Sequence, residues 1–95
     1  MVKLIWNDLA IDDLKSIHEY ISNDSKVYAD RYIQKLIVRI DQLENFPQSG
    51  RIVPEFGKET IRELIEGNYR IVYKINPDYI GIVRIHHAAM PLKDI

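Results

Sequence analysis

The chain has no cysteine, which excludes a disulfide framework, a zinc knuckle and a thiol nucleophile. Glycine and proline are scarce, four of each in 95 residues. Half of them, Pro47, Gly50, Pro54 and Gly57, fall in one stretch and mark residues 46–60 as a loop. No apolar run approaches the ~20 residues that span a bilayer. The N-terminus lacks the basic region and apolar run of a signal peptide, so the expected location is the cytoplasm, away from any membrane. An excess of charge of either sign is lacking as well. The net charge is −1, which argues against a strongly nucleic-acid-binding surface. There is no Gly-rich phosphate loop, no GK[ST] and no Ser/His/Asp nucleophile signature, so no cofactor is expected. His86 and His87 are adjacent, and adjacent strand residues point to opposite faces; with His18 remote, no metal site is expected either.

Hydrophobic residues make up 46% of the chain, enough for one small core, and residues 1–95 read as one domain. Val2–Trp6 is β-branched, apolar and aromatic, and reads as a short strand. Asn7 or Asp8 then caps a helix with its side chain. Ala10, Leu14, Ile17 and Ile21 share one face of that helix. Ser22-Asn23-Asp24-Ser25 ends it and caps the next, expected over about 26–45. Ala29, Ile33, Leu36, Ile40 and Leu43 form the inner stripe of the second helix. Two amphipathic helices on a short link make an antiparallel hairpin.

Three strands are predicted next: Ile61–Glu66, Tyr69–Ile75 and Ile80–His87. Gly67-Asn68 fits a two-residue hairpin turn, since both residues tolerate positive φ. In the last hairpin, burial selects the register that keeps Arg84 out of the core. It pairs Ile71 with Ile85 and Tyr73 with Val83, and so Arg70 with His86 and Val72 with Arg84. The first hairpin pairs Glu63 with Val72. Glu63, Arg70, Arg84 and His86 are thus expected together on the sheet face away from the helices, with Ile65 and Ile82 as its apolar residues. A carboxylate, a histidine and two guanidiniums suit phosphodiester cleavage. Glu63 or His86 would take the ribose 2′-OH proton, and the arginines would hold the phosphate. The plainer reading, an ordinary charged solvent face, stands beside it. Arg51 has two readings too: a phosphate ligand, or a structural partner of loop carbonyls or Glu55. Arg62 reads as a structural ion-pair partner, perhaps to a helix carboxylate, and Trp6 as the seal on one end of the core.

The order Phe46-Pro47-x-x-Gly50-Arg51-x-Val53-Pro54-Glu55, Ile61-Arg62-Glu63-Leu64, Tyr69-Arg70-Ile71-Val72-Tyr73 and Arg84-Ile85-His86 resembles the RelE/ParE superfamily of type II toxin–antitoxin toxins. With Trp6, Asp13-Leu14 and Tyr20-Ile21 the resemblance covers nearly the whole chain. It implies an α+β fold: an N-terminal strand, an antiparallel helix hairpin, then a three-stranded antiparallel sheet that the first strand joins. It implies a cognate antitoxin as partner, for which the helix hairpin or Ile65 and Ile82 on the sheet offer docking surface. In mRNA-cleaving members it places a phosphate-binding arginine at Arg70 and further catalytic side chains at His86 or His87. The VPE, IREL and I-x-x-I-H segments look more like the ParE branch, which acts on DNA gyrase. The arginine that often follows the final histidine is replaced here by Ala88-Ala89-Met90. The expected function is therefore a growth-inhibiting toxin acting on gyrase. Ribosome-dependent mRNA cleavage, or an inactive member that only binds antitoxin, are the alternatives.

Overall fold

The computed structural model describes residues 2–89. It runs β1 (Lys3–Trp6), α1 (Asp8–Ser22), α2 (Lys26–Asp41), a 3₁₀ turn (Gln42–Glu44), β2 (Arg51–Ile52), β3 (Ile61–Glu66), β4 (Tyr69–Ile75) and β5 (Tyr79–His87). The strands form one mixed sheet in the order β1-β5-β4-β3-β2. β1 is parallel to β5, and the other neighbours are antiparallel. The fold is α+β, as expected. A fifth strand, β2, lies inside the stretch that reads as a loop: Arg51 and Ile52 pair with Glu63 and Arg62, and two residues carry too little periodicity to show in the sequence.

The two helix starts are built differently. Ser25 caps α2, its hydroxyl accepting from the Tyr28 N–H at 3.1 Å. At α1, the side chain of Asn7 makes no capping bond. Its extended backbone instead turns its carbonyl toward the Ala10 and Ile11 N–H groups, at 3.0 and 3.1 Å. The helices bury Ala10, Ile17, Leu36 and Ile40 against Leu64, Ile71, Tyr73 and Ile85 of the sheet. Trp6 packs on the margin of this core. At ~25 cal/mol per Å² of apolar area removed from water, this stripe-on-sheet contact is the main source of stability.

The first hairpin has the predicted register, with Leu64 opposite Ile71 and Glu66 opposite Tyr69. In its turn Gly67 alone takes a positive φ, of 57°; Asn68 does not. In the second hairpin Arg70 faces His86 and Ile71 faces Ile85, as expected. The register then slips by one residue: Tyr73 faces Ile82, not Val83. A bulge of this kind lets a strand change which face a residue meets. It brings Ile80, Ile82 and Ile85 all into the helix-side core, each at most 3% exposed. Ile82 is therefore not on the outer face. Val83 takes its place there, in a second small cluster around Val53 and Val72 with Phe56 and Ile61.

Candidate functional site

The outer sheet face was expected to be solvated, but the 53–57 turn roofs part of it. Val53 is fully buried against Val72, and its carbonyl accepts from the Phe56 and Gly57 N–H groups. Gly57 sits at φ 61°, a conformation that closes this tight turn without a Cβ penalty. The roof carries Glu55 over Arg70.

Four charged side chains interlock beneath it. Arg70 donates from Nη1 and Nη2 to the two carboxylate oxygens of Glu55, both at 2.7 Å. Its Nε donates to Oε1 of Glu63. Arg51 donates from Nε to Oε2 of Glu63 at 2.7 Å. The side chains of Arg70 and Glu63 are 8% and 0% exposed. Burial of both would be costly without this pairing. The bonds from Glu55 above all, then those from Glu63, hold the Arg70 guanidinium far above its ordinary pKa, against the opposing effect of burial. Glu63 is thus no exposed base: both its oxygens accept from arginines in a dry site. All three nitrogens of Arg70 donate to carboxylates, which leaves little of the guanidinium for a phosphate. Arg51 was expected to bond loop carbonyls or Glu55; it pairs with Glu63 instead, because Arg70 takes both oxygens of Glu55.

A second knot ties the same loop down through Tyr73. The Tyr73 hydroxyl donates to the Pro47 carbonyl at 2.8 Å and accepts from the Gly50 N–H at 2.9 Å. Burial pushes the hydroxyl above its ordinary pKa. A Cβ on Gly50 would lie 2.6 Å from both the Glu63 carbonyl and the Tyr73 hydroxyl, which is why glycine stands there. Arg62 donates to the carbonyls of Glu59 and Gly50, at 2.9 and 3.0 Å. It is structural, as expected, but its partners are loop carbonyls and not a helix carboxylate. The family-like segments around Pro47, Gly50, Glu55, Glu63, Arg70 and Tyr73 therefore form one clasp.

Arg84 leaves the expected constellation. It donates from Nε and Nη2 to the Asp13 carboxylate of α1, at 2.8 and 3.0 Å. The Asp13 Oδ2 also accepts from the Ile85 N–H at 2.9 Å. β1 pairs only with residues 79–82 of β5, so Asp13 supplies the acceptor that a longer β1 would have provided at that edge. Hydrogen bonding to Asp13 raises the Arg84 pKa. His86 is half-buried opposite Arg70. His87 is exposed, lies edge-on to Tyr69 at 5.5 Å and accepts at Nδ1 from the Ala89 N–H. Met90 lies outside the described residues. Of the predicted site, then, Glu63 and Arg70 are brought together with Arg51 and the unforeseen Glu55. Arg84 and Ile82 are not part of it. Ile65 is exposed, at 42%, and stands as an apolar surface residue.

The larger concave feature is elsewhere. A groove of about 600 Å³ runs along the helix hairpin, lined by Trp6, Ile11, Leu14, Ile33 and Ile37, with Lys15, His18 and Glu19 at its rim. His18 spans the hairpin, with Nε2 2.7 Å from Asp30 Oδ1. Among the described residues no group of histidine and carboxylates could hold a metal ion, and no helix is long and apolar enough to cross a membrane.

A five-stranded mixed sheet backed by a helix hairpin is an α+β fold of the kind found in ParE-like toxins. Residues 4–92 match the ParE toxin family of type II toxin–antitoxin systems, parDE, and the chain belongs to that family. It is 34% identical over 90 residues to the protein named Toxin RelE2 of Caulobacter vibrioides, covering 94% of this chain and 98% of that one. Its fold superposes on a chain of the chromosomal ParDE toxin–antitoxin system from P. aeruginosa with a TM-score of 0.76. That likeness covers 92% of this chain and 96% of the other at 22% identity. Toxins of this family are paired with an antitoxin protein, so an antitoxin is a partner of this chain.

Proposed function

We propose that this toxin stops growth by acting on DNA gyrase, and not by cutting mRNA. The observation that carries this reading is the state of Arg70. Phosphodiester cleavage needs positive groups aimed at where charge builds in the transition state and a base within reach of the 2′-OH. Here Arg70 is bound at both ends by carboxylates, and Glu63 is buried between two arginines. Arg84 is bound to Asp13. An entering phosphate would have to displace a carboxylate from Arg70, whose three nitrogens are all engaged. The near-neutral charge of the chain also suits a protein surface better than the phosphate-dense surface of a ribosome. Membership of the ParE family supports gyrase as the target.

The antitoxin, on this reading, covers the apolar groove of the helix hairpin. Trp6, Ile11, Leu14, Ile33 and Ile37 are spaced to take the apolar face of a helix. With Ile82 buried, the sheet face offers less. Two experiments test the proposal. Induced expression should arrest DNA replication before translation; translation stopping first would favour the mRNA-cleaving reading, and no arrest of either would point to an inactive antitoxin binder. Co-expression with the product of the adjacent open reading frame should restore growth and yield a complex that Leu14→Glu breaks. Failure of the pair to co-purify would sink the assignment of the groove.

A further inference from the structure

The outer flank of α2 carries a feature that neither the clasp nor the hairpin groove uses. Arg31, Lys35 and Arg39 follow one another at four-residue steps, about 6 Å apart along the axis and on one side of the helix. Exposed apolar groups sit among them: Tyr28 at 57%, Val38 at 56% and, across the flank on β3, Ile65 at 42%. Together with Gln34 and Gln42 the three cations line a shallow groove of about 410 Å³ between α2 and Glu66. Among the described residues Glu66 is the one carboxylate lining this groove; Lys35 and Arg39 share it at 3.3 and 3.4 Å, and Arg39 also donates to the Ile65 carbonyl at 3.4 Å. Asp30 and Asp41 fall roughly 130° round the helix, and Asp30 is engaged by His18. Three cations thus face one mostly buried carboxylate.

We infer that this flank is a second docking surface, and that its occupant is an acidic amphipathic segment of a protein partner. Charge complementarity selects carboxylates over cations. The apolar groups between the cations select a peptide over a phosphate backbone, because Val38 and Ile65 gain contact only from apolar side chains. The flank points away from the groove of Trp6 and Leu14, so a partner can occupy both sites at once, and the two then reinforce each other through effective concentration. This inference is independent of the target: it holds for a gyrase poison and an mRNA-cleaving toxin alike.

The test is fluorescence anisotropy with the full chain. The probes are a blocked synthetic helix of about 18 residues, long enough to hold helical structure, with Glu at every fourth position and Leu between, its Lys counterpart, and a short DNA duplex. The acidic helix should bind best, and its affinity should fall as salt rises from about 50 to about 200 mM. Arg31→Gln/Lys35→Gln, which leaves the Arg39–Glu66 pair in place and sets no carboxylate against Glu66, should weaken it about tenfold, or about 1.4 kcal/mol, with the melting temperature nearly unchanged. Val38→Ser should weaken it too. Tighter binding to the duplex, equal binding of the double variant, or no binding of the acidic helix would each overturn the inference.

Discussion

Arg70→Ala removes the centre of the clasp and leaves Glu63, whose side chain has no exposed surface, with Arg51 alone. Arg51 is 60% exposed and gives a weakly held partner. Breaking a buried pair by deleting one member costs about 3–5 kcal/mol. A domain of this size has about 5–14 kcal/mol in total. Each kcal/mol lowers the melting temperature by about 4–8 °C at this length, so the variant should melt about 12–40 °C below the parent. Glu63→Leu/Arg70→Met separates buried charge from lost packing. It replaces both buried members with apolar groups of similar volume, while Glu55 and Arg51, at 28% and 60% exposed, already reach water. Most of the lost stability should return. The assay is thermal unfolding followed by circular dichroism, beside growth inhibition in cells. An unchanged melting temperature with lost toxicity in Arg70→Ala would refute the clasp and return Arg70 to the functional surface.

Three further changes probe the same frame. Gly50→Ala forces a Cβ to within 2.6 Å of the Glu63 carbonyl and Tyr73 hydroxyl and should cost about 1–3 kcal/mol, read as a lower denaturant midpoint. Tyr73→Phe strands the Gly50 N–H and the Pro47 carbonyl, at a cost of about 1–3 kcal/mol. Because the folded state raises the Tyr73 pKa, the stability linked to its neutral hydroxyl is complete below pH about 10 and is lost as pH climbs through the raised value; the alkaline limb of a stability profile should therefore flatten in Tyr73→Phe. Asp13→Ala removes the acceptor for the Ile85 N–H and for Arg84, so amide exchange at Ile85 should quicken well beyond that at Ile71, with a loss of about 1–3 kcal/mol.

Much of the fold is legible in the residues, and the misses have physical causes. The helix stripes, the three main strands and the Ile71–Ile85 register follow from periodicity and from keeping Arg84 out of the core. The bulge at Val83 was also written there: Ile80 and Ile82 share one parity and Ile85 the other, so no unbroken strand could bury all three. The site was read less well. Alternation puts Glu63, Arg70 and His86 on one face, but it does not say what lies above that face. Glu55 sits eight residues before Glu63, in a segment whose path is set by Tyr73 and Arg62 reaching back to it, and sequence spacing does not report such long-range bonds. The Val53-Pro54-Glu55 run and the buried Val72 were the available signal that a roof covers the charged face. The Arg84–Asp13 pair joins residues 71 positions apart and follows from β1 being shorter than β5, which only the sheet topology reveals.

Purified protein in two reactions run side by side separates a gyrase-directed toxin with a clasped Arg70 from an mRNA-cleaving one. One is supercoiling of relaxed plasmid by gyrase, and the other is cell-free translation with the mRNA recovered and its ends mapped. Supercoiling should be inhibited while the mRNA stays intact. Unimpaired supercoiling, together with codon-dependent mRNA cuts that vanish in Arg70→Lys, a change that keeps the charge but loses the two-pronged grip, would contradict it.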